Sequence, residues 1–445
     1  MSLSRSFVDA QSCSEQLGHS FESLTHQIPV EWVREAVGLS SHASVRRRRL
    51  PGDMVLWLVL GMAMFRNESI GEVARRLNIC ADGLANEELL ARSALSQARQ
   101  RFGEEPMKWL FKQSAAVWGP ERYAQDDWNG LQLFAIDGAL FRTQDTPELR
   151  AHFGSGNTGN TRQTPFPMLR LVALMNVRSH VLADAAISPY RRGEIPLAEP
   201  LLAQLPERSI TLLDKGFFSA NLLLSISGGG HQRHWVIPER KRLVYEVVEE
   251  YGPGDRLVKM AVSPQARKAN TALPLTWHAR AVSYEVEGGS KTVFTSLAAS
   301  DYSAEQVAQL YHQRWEIELG FRDIKSSMQH NAITLRSKKV ELVYQELWGL
   351  MLAYNVVRRE ASKAAQQYDR APHEVSFKFA FEFIAAQLIV MAGALSPAHT
   401  PRRLGELRGS ISNLFIEKRP RPSRPRAVKI SKTRYRVDWR ASPLK

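Results

Sequence analysis

Cysteine is nearly missing from this chain: Cys13 and Cys80 are the only two in 445 residues. Two thiols cannot build a disulfide framework or a four-thiolate zinc site, and such sparing use suits a reducing cytoplasm. Long apolar runs are scarce too. The longest, Met54 to Phe65 and Phe383 to Leu395, fall short of the roughly 20 residues that cross a bilayer, so both are expected as buried core helices and no membrane partner is expected. No basic-then-apolar leader pattern is present. Acids are rare where bases crowd: Lys418 to Lys445 holds eleven Lys/Arg against one acid, Asp438. That segment lacks the apolar content to pack by itself.

What is present is an excess of positive charge, 59 Lys/Arg against 45 Asp/Glu, a formal +14 of which ten units sit in those last 28 residues. Such a balance suits a polyanionic partner and disfavours an acidic-protein substrate or a neutral small-molecule enzyme. With 44% hydrophobic residues the body has an ordinary globular composition, and its length suggests two to four structural units.

Residues 1–125 read as helical, with Ile70, Val73, Ala74 and Leu77 at helical spacing. From about residue 126 the pattern shifts to short β-type runs, Leu131–Arg142, Leu169–Val177, Val181–Ile187 and Ser209–Phe218. A crossover helix expected over Leu197–Leu205 precedes the last of them, which is the order of a mixed α/β sheet. Residues 231–298 are rich in Val, Tyr, Arg and Lys with turn signals at Gly252-Pro253-Gly254 and Gly288-Gly289, and read as a β-rich insertion. Helical period returns over 299–395, and 396–445 is a basic Pro/Arg-rich tail expected to hold little regular structure.

Three segments carry acids in informative settings. Asp137 lies in Leu133-Phe-Ala-Ile-Asp-Gly-Ala-Leu-Phe141. Asp-Gly between apolar residues can be a hairpin turn; read as one continuous strand, the same run buries a carboxylate that must be paired or bind a cation. Asp214, in Thr211-Leu-Leu-Asp-Lys-Gly-Phe-Phe218, ends the fourth strand, where it either orders the turn or stands at the strand ends where ligands collect in α/β sheets. The third segment runs from Tyr311 to Lys325. At about 100° per residue, Tyr311, Arg314, Glu318, Arg322 and Lys325 fall within roughly 80° of one another, whereas Glu316 and Asp323 point away. An exposed helix laced by an Arg314–Glu318 pair is the plainer reading. Taken together, two aspartates on adjacent strands and a glutamate from a packed helix make a hard-oxygen cage for two Mg²⁺ ions, with Mn²⁺ able to substitute.

Tyr311-x2-Arg314-x3-Glu318-x6-Lys325 resembles the signature of the bacterial insertion-sequence transposases of the insertion sequence four family, which carry a DDE triad. The contexts of Asp137 and Asp214 resemble that family's first and second acidic motifs, and the likeness extends through Arg336 to Trp348 and back into the N-terminal region. The resemblance implies a ribonuclease H-like catalytic core interrupted by a β-rich insertion. It implies catalytic, metal-holding Asp137, Asp214 and Glu318, with Tyr311, Arg314, Arg322 and Lys325 on DNA phosphate. It further implies metal-dependent cutting at element ends, joining of the 3′-hydroxyls to target DNA, and a homodimer on double-stranded DNA carrying terminal inverted repeats, in a bacterial cytoplasm at the nucleoid. Some relatives stack a flipped base on an insertion aromatic, for which Trp277 is a candidate by location. The rivals are a nuclease on the same fold without strand transfer, and a DNA-binding relative that has lost catalysis.

Further DNA contacts are expected from Arg46, Arg47, Arg48 and Arg49, from Arg336, Lys338 and Lys339, and from Arg419, Arg421, Arg424 and Arg426 in the tail. Gly154-Ser-Gly156-Asn-Thr-Gly159 matches a dinucleotide fingerprint but precedes prolines and no helix, so no nucleotide cofactor is expected; a loop near DNA fits better. His231 and His234 lack an evident third ligand for zinc.

Overall fold

The computed structural model describes residues 28–40, 50, 52–77, 79, 92–123, 127–158, 162–163, 166–286, 289–330, 334–394, 400–411, 413–414, 429–431 and 434–435. Arg46 to Arg49 and the four tail arginines named above lie outside them. Helices α1 (Val30–Gly38), α2 (Gly52–Met64), α3 (Ile70–Arg76), α4 (Arg92–Phe102) and α5 (Glu105–Trp118) form the N-terminal region. The apolar run beginning at Met54 has no polar face, and α2 is accordingly buried on every side from Met54 to Met64. It lies against the long helix Val340–Gln367 at Gly349, where a β-carbon would come within 2.5 Å of Val59. The N-terminal helices therefore share one hydrophobic cluster with the long helix and one face of the β-sheet. No helix among the described residues is long and apolar enough to cross a membrane.

A nine-stranded mixed sheet runs through the middle, in the order β5-β4-β1-β6-β7-β11-β10-β9-β8. Its third strand β1 (Gln132–Arg142) is antiparallel to β4 (Met168–Asn176) and parallel to β6 (Ser209–Leu213); β5 (Leu182–Pro189) flanks β4. The short pair β2 (Asn157–Thr158) and β3 (Arg162–Gln163) stands apart. Period two along β1 separates the layers. Leu133, Ala135, Ala139 and Phe141 face the cluster containing the long helix, while Phe134 and Ile136 face a second cluster built on Leu197, Leu201 and Leu223.

The insertion is not a separate sheet. β7 (Arg233–Pro238) pairs in parallel with β6, so its first strand belongs to the core. β11 (Gly289–Thr295) pairs with β7, and β10 (Thr276–Val286), β9 (Asp255–Ala261) and β8 (Glu246–Gly252) extend the same surface outward. In the tail, where little regular structure is expected, Thr400–Ile411 is helical. Leu407 and Ile411, four residues apart, are buried, and Arg408 bonds Glu360 of the long helix at 3.1 Å, so tertiary contact supplies what the tail's composition withholds.

Candidate active site

β1 and β6 place the first two acids. The last rung between these parallel strands is Ile136 with Leu213. Asp137 and Asp214 are the next residues on each, just where β6 stops and leaves that edge of β1 open. Asp137-Gly138 is no turn, because both residues stay paired with β4, Asp137 opposite Ala173 and Gly138 opposite Val172. The Asp137 carboxylate accepts from Gly138 N–H at 2.7 Å. Asp214 accepts from Gly216 N–H at 2.7 Å and caps the short turn Lys215–Phe217, so it does order the loop while standing beside Asp137.

The third acid arrives on a helical rod. It opens at Ser303 with a capping box to Gln306, runs through Ala304–Tyr311, tightens to a 3₁₀ turn at His312–Arg314, and continues as Trp315–Arg322 before widening to a π-helical segment at Asp323–Met328. Ile317, Phe321 and Ile324 bury against the sheet. Gly320 marks the closest approach, since a β-carbon there would sit 2.9 Å from Met175 and 3.0 Å from the Tyr354 hydroxyl. Tyr311 donates its hydroxyl to the Leu213 carbonyl at 3.3 Å, tying the rod to the strand end that carries Asp214.

Arg314 joins the parts. Its Nη2 donates to Glu318 Oε1 at 2.5 Å, and its Nη1 lies 3.6 Å from Asp137 Oδ2. Burial pushes the Asp137 carboxyl up to about 6; Gly138 N–H and Arg314 pull it down, while Asp214 and Glu318 push it further up. Burial likewise pushes the Tyr311 phenol up to about 12, with Arg314 opposing and Asp214 adding. The site thus gathers more negative charge than one guanidinium balances. Glu316 and Asp323 turn to the other side of the rod. Glu316 accepts from His180 Nε2 at 2.8 Å, and Asp323 pairs with Arg358.

The remaining expected residues divide. Arg322 is exposed, while Lys325, within the π-helical segment, lies 5.6 Å from the Phe141 ring centre, further along β1 than the acids. Lys338 and Lys339 are exposed, the latter 3.4 Å from Gln100. Two residues expected on DNA are engaged within the fold of the metal- and DNA-free chain. Arg336 donates from its two terminal nitrogens to the carbonyls of Met62, Arg66 and Glu68 at 2.6, 3.2 and 2.7 Å, so both are engaged at the open end of α2, and its Nε is buried. Trp277 is 4% exposed, packed 5.8 Å from Trp235 and 6.3 Å from Phe218, and presents no open face to a base. His234 shares a 3.3 Å hydrogen bond with Ser296, and among the described residues no group of three or more His, Cys, Asp or Glu is gathered tightly enough to hold a metal ion as the chain stands.

Glu194 carried no sequence signal. It pairs with Arg170 behind β1, and a β-carbon on Gly138 would come within 2.5 Å of its carboxylate. That close approach explains a glycine beside Asp137, on the face away from Glu318.

Two family models match the chain, the insertion element 4 transposase N-terminal region over residues 18–112 and the transposase DDE domain over residues 128–356. The chain belongs to the IS4 family of DDE transposases. Putative transposase InsZ of Escherichia coli (strain K12) is 36% identical over 96% of this chain and 94% of its own length. Transposase InsG for insertion sequence element IS4, of the same strain, is 37% identical over 96% of each. A chain of the cryo-EM piggyBac transposase synaptic complex with hairpin DNA superposes with TM-score 0.43 and 12% identity, covering 92% of this chain and 86% of that one, a likeness too slight to build on. Membership makes the chain a DNA transposase, an enzyme that cuts and joins DNA, and DDE transposases depend on divalent metal.

Proposed function

We propose that the central sheet is a ribonuclease H-like core in which Asp137, Asp214 and Glu318 are the catalytic acids. The observation that carries this reading is the placement of Asp137 and Asp214 one residue past the last rung of two adjacent parallel strands, with Arg314 joining Asp137 to Glu318. The donor set fits the metal the family requires, since it consists of hard carboxylate oxygens with surplus negative charge. These three residues would hold two Mg²⁺ ions, which when bound activate the attacking oxygen and stabilise the leaving one. Arg314 pairs with Asp137 and Glu318 in the metal-free chain and would turn to a scissile phosphate once they are otherwise neutralised. Tyr311 fixes the rod against the Asp214 strand end and presents its phenol beside the same phosphate; Arg322 and Lys325 extend the cationic track.

In this reading the enzyme, a homodimer at the nucleoid of a bacterial cytoplasm, cuts at the terminal inverted repeats of its own element and joins the 3′-hydroxyl ends to target DNA. Residues 1–125 bind the element ends, 126–230 and 299–395 form the core and its helices, 231–298 are the insertion, and 396–445 add salt-sensitive attraction to DNA. The test uses the full chain with duplexes bearing the repeats that flank its gene. Glu318→Ala is expected to bind these as the wild type does while failing to cut, and an alanine variant that still cuts would remove the assignment. Pre-cleaved ends with a free 3′-hydroxyl should be joined to a plasmid; cutting without joining would leave only a nuclease.

A further inference from the structure

Beyond the far end of β1 lies a pocket of about 670 Å³ whose walls include Arg150, Gly154, Ser155, Tyr190 and Arg191. The sheet register explains where it stands. Arg142, the last residue of β1, is opposite Met168, and Leu169 is opposite Pro189. The start of β4 and the end of β5 therefore lie at the same end of the sheet to which β6 delivers Asp214. The loop is sewn to both strands, with Tyr190 N–H donating to Phe153 O at 3.1 Å and Met168 N–H to Gly154 O at 3.0 Å.

Two glycines of the apparent dinucleotide fingerprint, Gly154 and Gly156, have a local purpose. Gly154 adopts φ +71°, and a β-carbon there would meet Arg191 Nε at 3.3 Å; a β-carbon on Gly156 would meet the Tyr190 hydroxyl at 3.0 Å. Only a bare backbone lies this flat on both side chains. Arg150 is held by Asp145 through bonds of 2.9 and 2.6 Å, whereas Arg191 is exposed and, among the described residues, pairs with no carboxylate. The pocket thus carries one uncompensated guanidinium, a neighbouring tethered one, and two hydroxyls.

We propose that this pocket receives a backbone phosphate of bound DNA, with Arg191 as its principal cation and the Tyr190 and Ser155 hydroxyls as further donors. The inference rests on the reading that Asp137 marks the cutting site. From Asp137 to Arg142 is five residues, roughly 17 Å of strand, so the phosphate would be about five nucleotides from the scissile one at 3.4 Å per step. Its source is either the element end or the target strand.

The experiment walks a neutral methylphosphonate along duplexes, one bearing the element's terminal repeat and one of unrelated sequence, and measures Kd of the full-length protein against salt. Arg191→Ala should weaken binding to one of the two roughly tenfold and lower the salt slope by about 0.9. The methylphosphonate position that weakens wild-type binding about five nucleotides from the cut should have no further effect in Arg191→Ala, and Arg191→Lys should restore most of the slope. The duplex on which this occurs identifies the source. Unchanged Kd and slope on both duplexes, or a methylphosphonate penalty as large in the variant as in the wild type, would overturn the pocket. A wild type that binds and cuts keeps the catalytic reading intact even then, and a wild type that does neither removes that reading instead.

Discussion

Two of the clusters in which the molecule sets arginine against carboxylate behave in opposite ways. In the first, Glu346 of the long helix is buried. It accepts from Arg336 N–H at 2.9 Å, from Ser337 N–H at 2.8 Å and from the Ser337 hydroxyl at 2.6 Å, with Arg66 at 3.4 Å. Burial alone would push this carboxyl up, but Arg66, Arg99 and the hydrogen bonds hold it below the ordinary value. In the second, Asp137 is less buried, yet burial pushes its carboxyl up to about 6, because Gly138 N–H and Arg314, opposed by the negative charge of Asp214 and Glu318, do not offset the lost hydration. A saturated cluster is a structural joint, in this case between the N-terminal helices and the long helix. An unsaturated one has capacity left for a cation.

The largest effect expected from breaking this contrast is on chemistry. Glu318→Ala should lower cutting by at least about 10³-fold, as for a member of a catalytic unit, with thermal stability almost unchanged because the side chain is a third exposed. A large loss of melting temperature with cutting retained would reverse the assignment of roles. Next comes the saturated joint. Glu346→Ala leaves Arg66 and Arg99 buried without their carboxylate and should cost about 3–5 kcal/mol in urea unfolding; a cost below about 1 kcal/mol would mean the cluster does not join the two regions.

Arg336→Ala and Lys338→Ala separate neighbours that look alike in sequence. The first should cost roughly 2–3 kcal/mol, since it strips charged donors from helix-end carbonyls, with DNA affinity of the folded fraction unchanged. The second should leave stability within about 0.5 kcal/mol and weaken DNA binding a fewfold. The reverse pattern in filter binding and melting curves would restore Arg336 to the DNA surface.

The smallest effect tests the surplus charge itself. The folded Asp137 pKa, about 6, lies above the ordinary 3.8, so the folded chain holds that proton more tightly than the unfolded one. Stability therefore falls as pH rises from about 4 to about 6. Asp137→Asn should stabilise the metal-free protein in EDTA by on the order of 1 kcal/mol above that window and by nothing below it. Destabilisation at pH 7 without metal would show that Arg314 already saturates the site.

Much of this was legible in sequence. The strand runs read as Leu131–Arg142 and Leu169–Val177 form as Gln132–Arg142 and Met168–Asn176, since apolar β-type patterning depends on neighbours in the chain. Helical spacing separated Glu318 from Glu316, and in the fold Glu316 turns away to His180. Spacing did not foresee the 3₁₀ and π turns that break the single face assumed for Tyr311 to Lys325, because those depend on how the rod meets β1 and the long helix. Nor did it distinguish Arg336, consumed by helix ends, from Arg191, left open over a glycine loop.

The sequence by itself determined the main strand runs around Asp137 and Asp214, the helical rod that carries Glu318, and the family. Only the tertiary structure decided that the insertion continues the core sheet, that Trp277 is interior, and which arginines are spent. The reason is physical: period and propensity are written in residues a few places apart, whereas the availability of a charge is set by partners such as Arg66 and Glu346, brought together only by the fold.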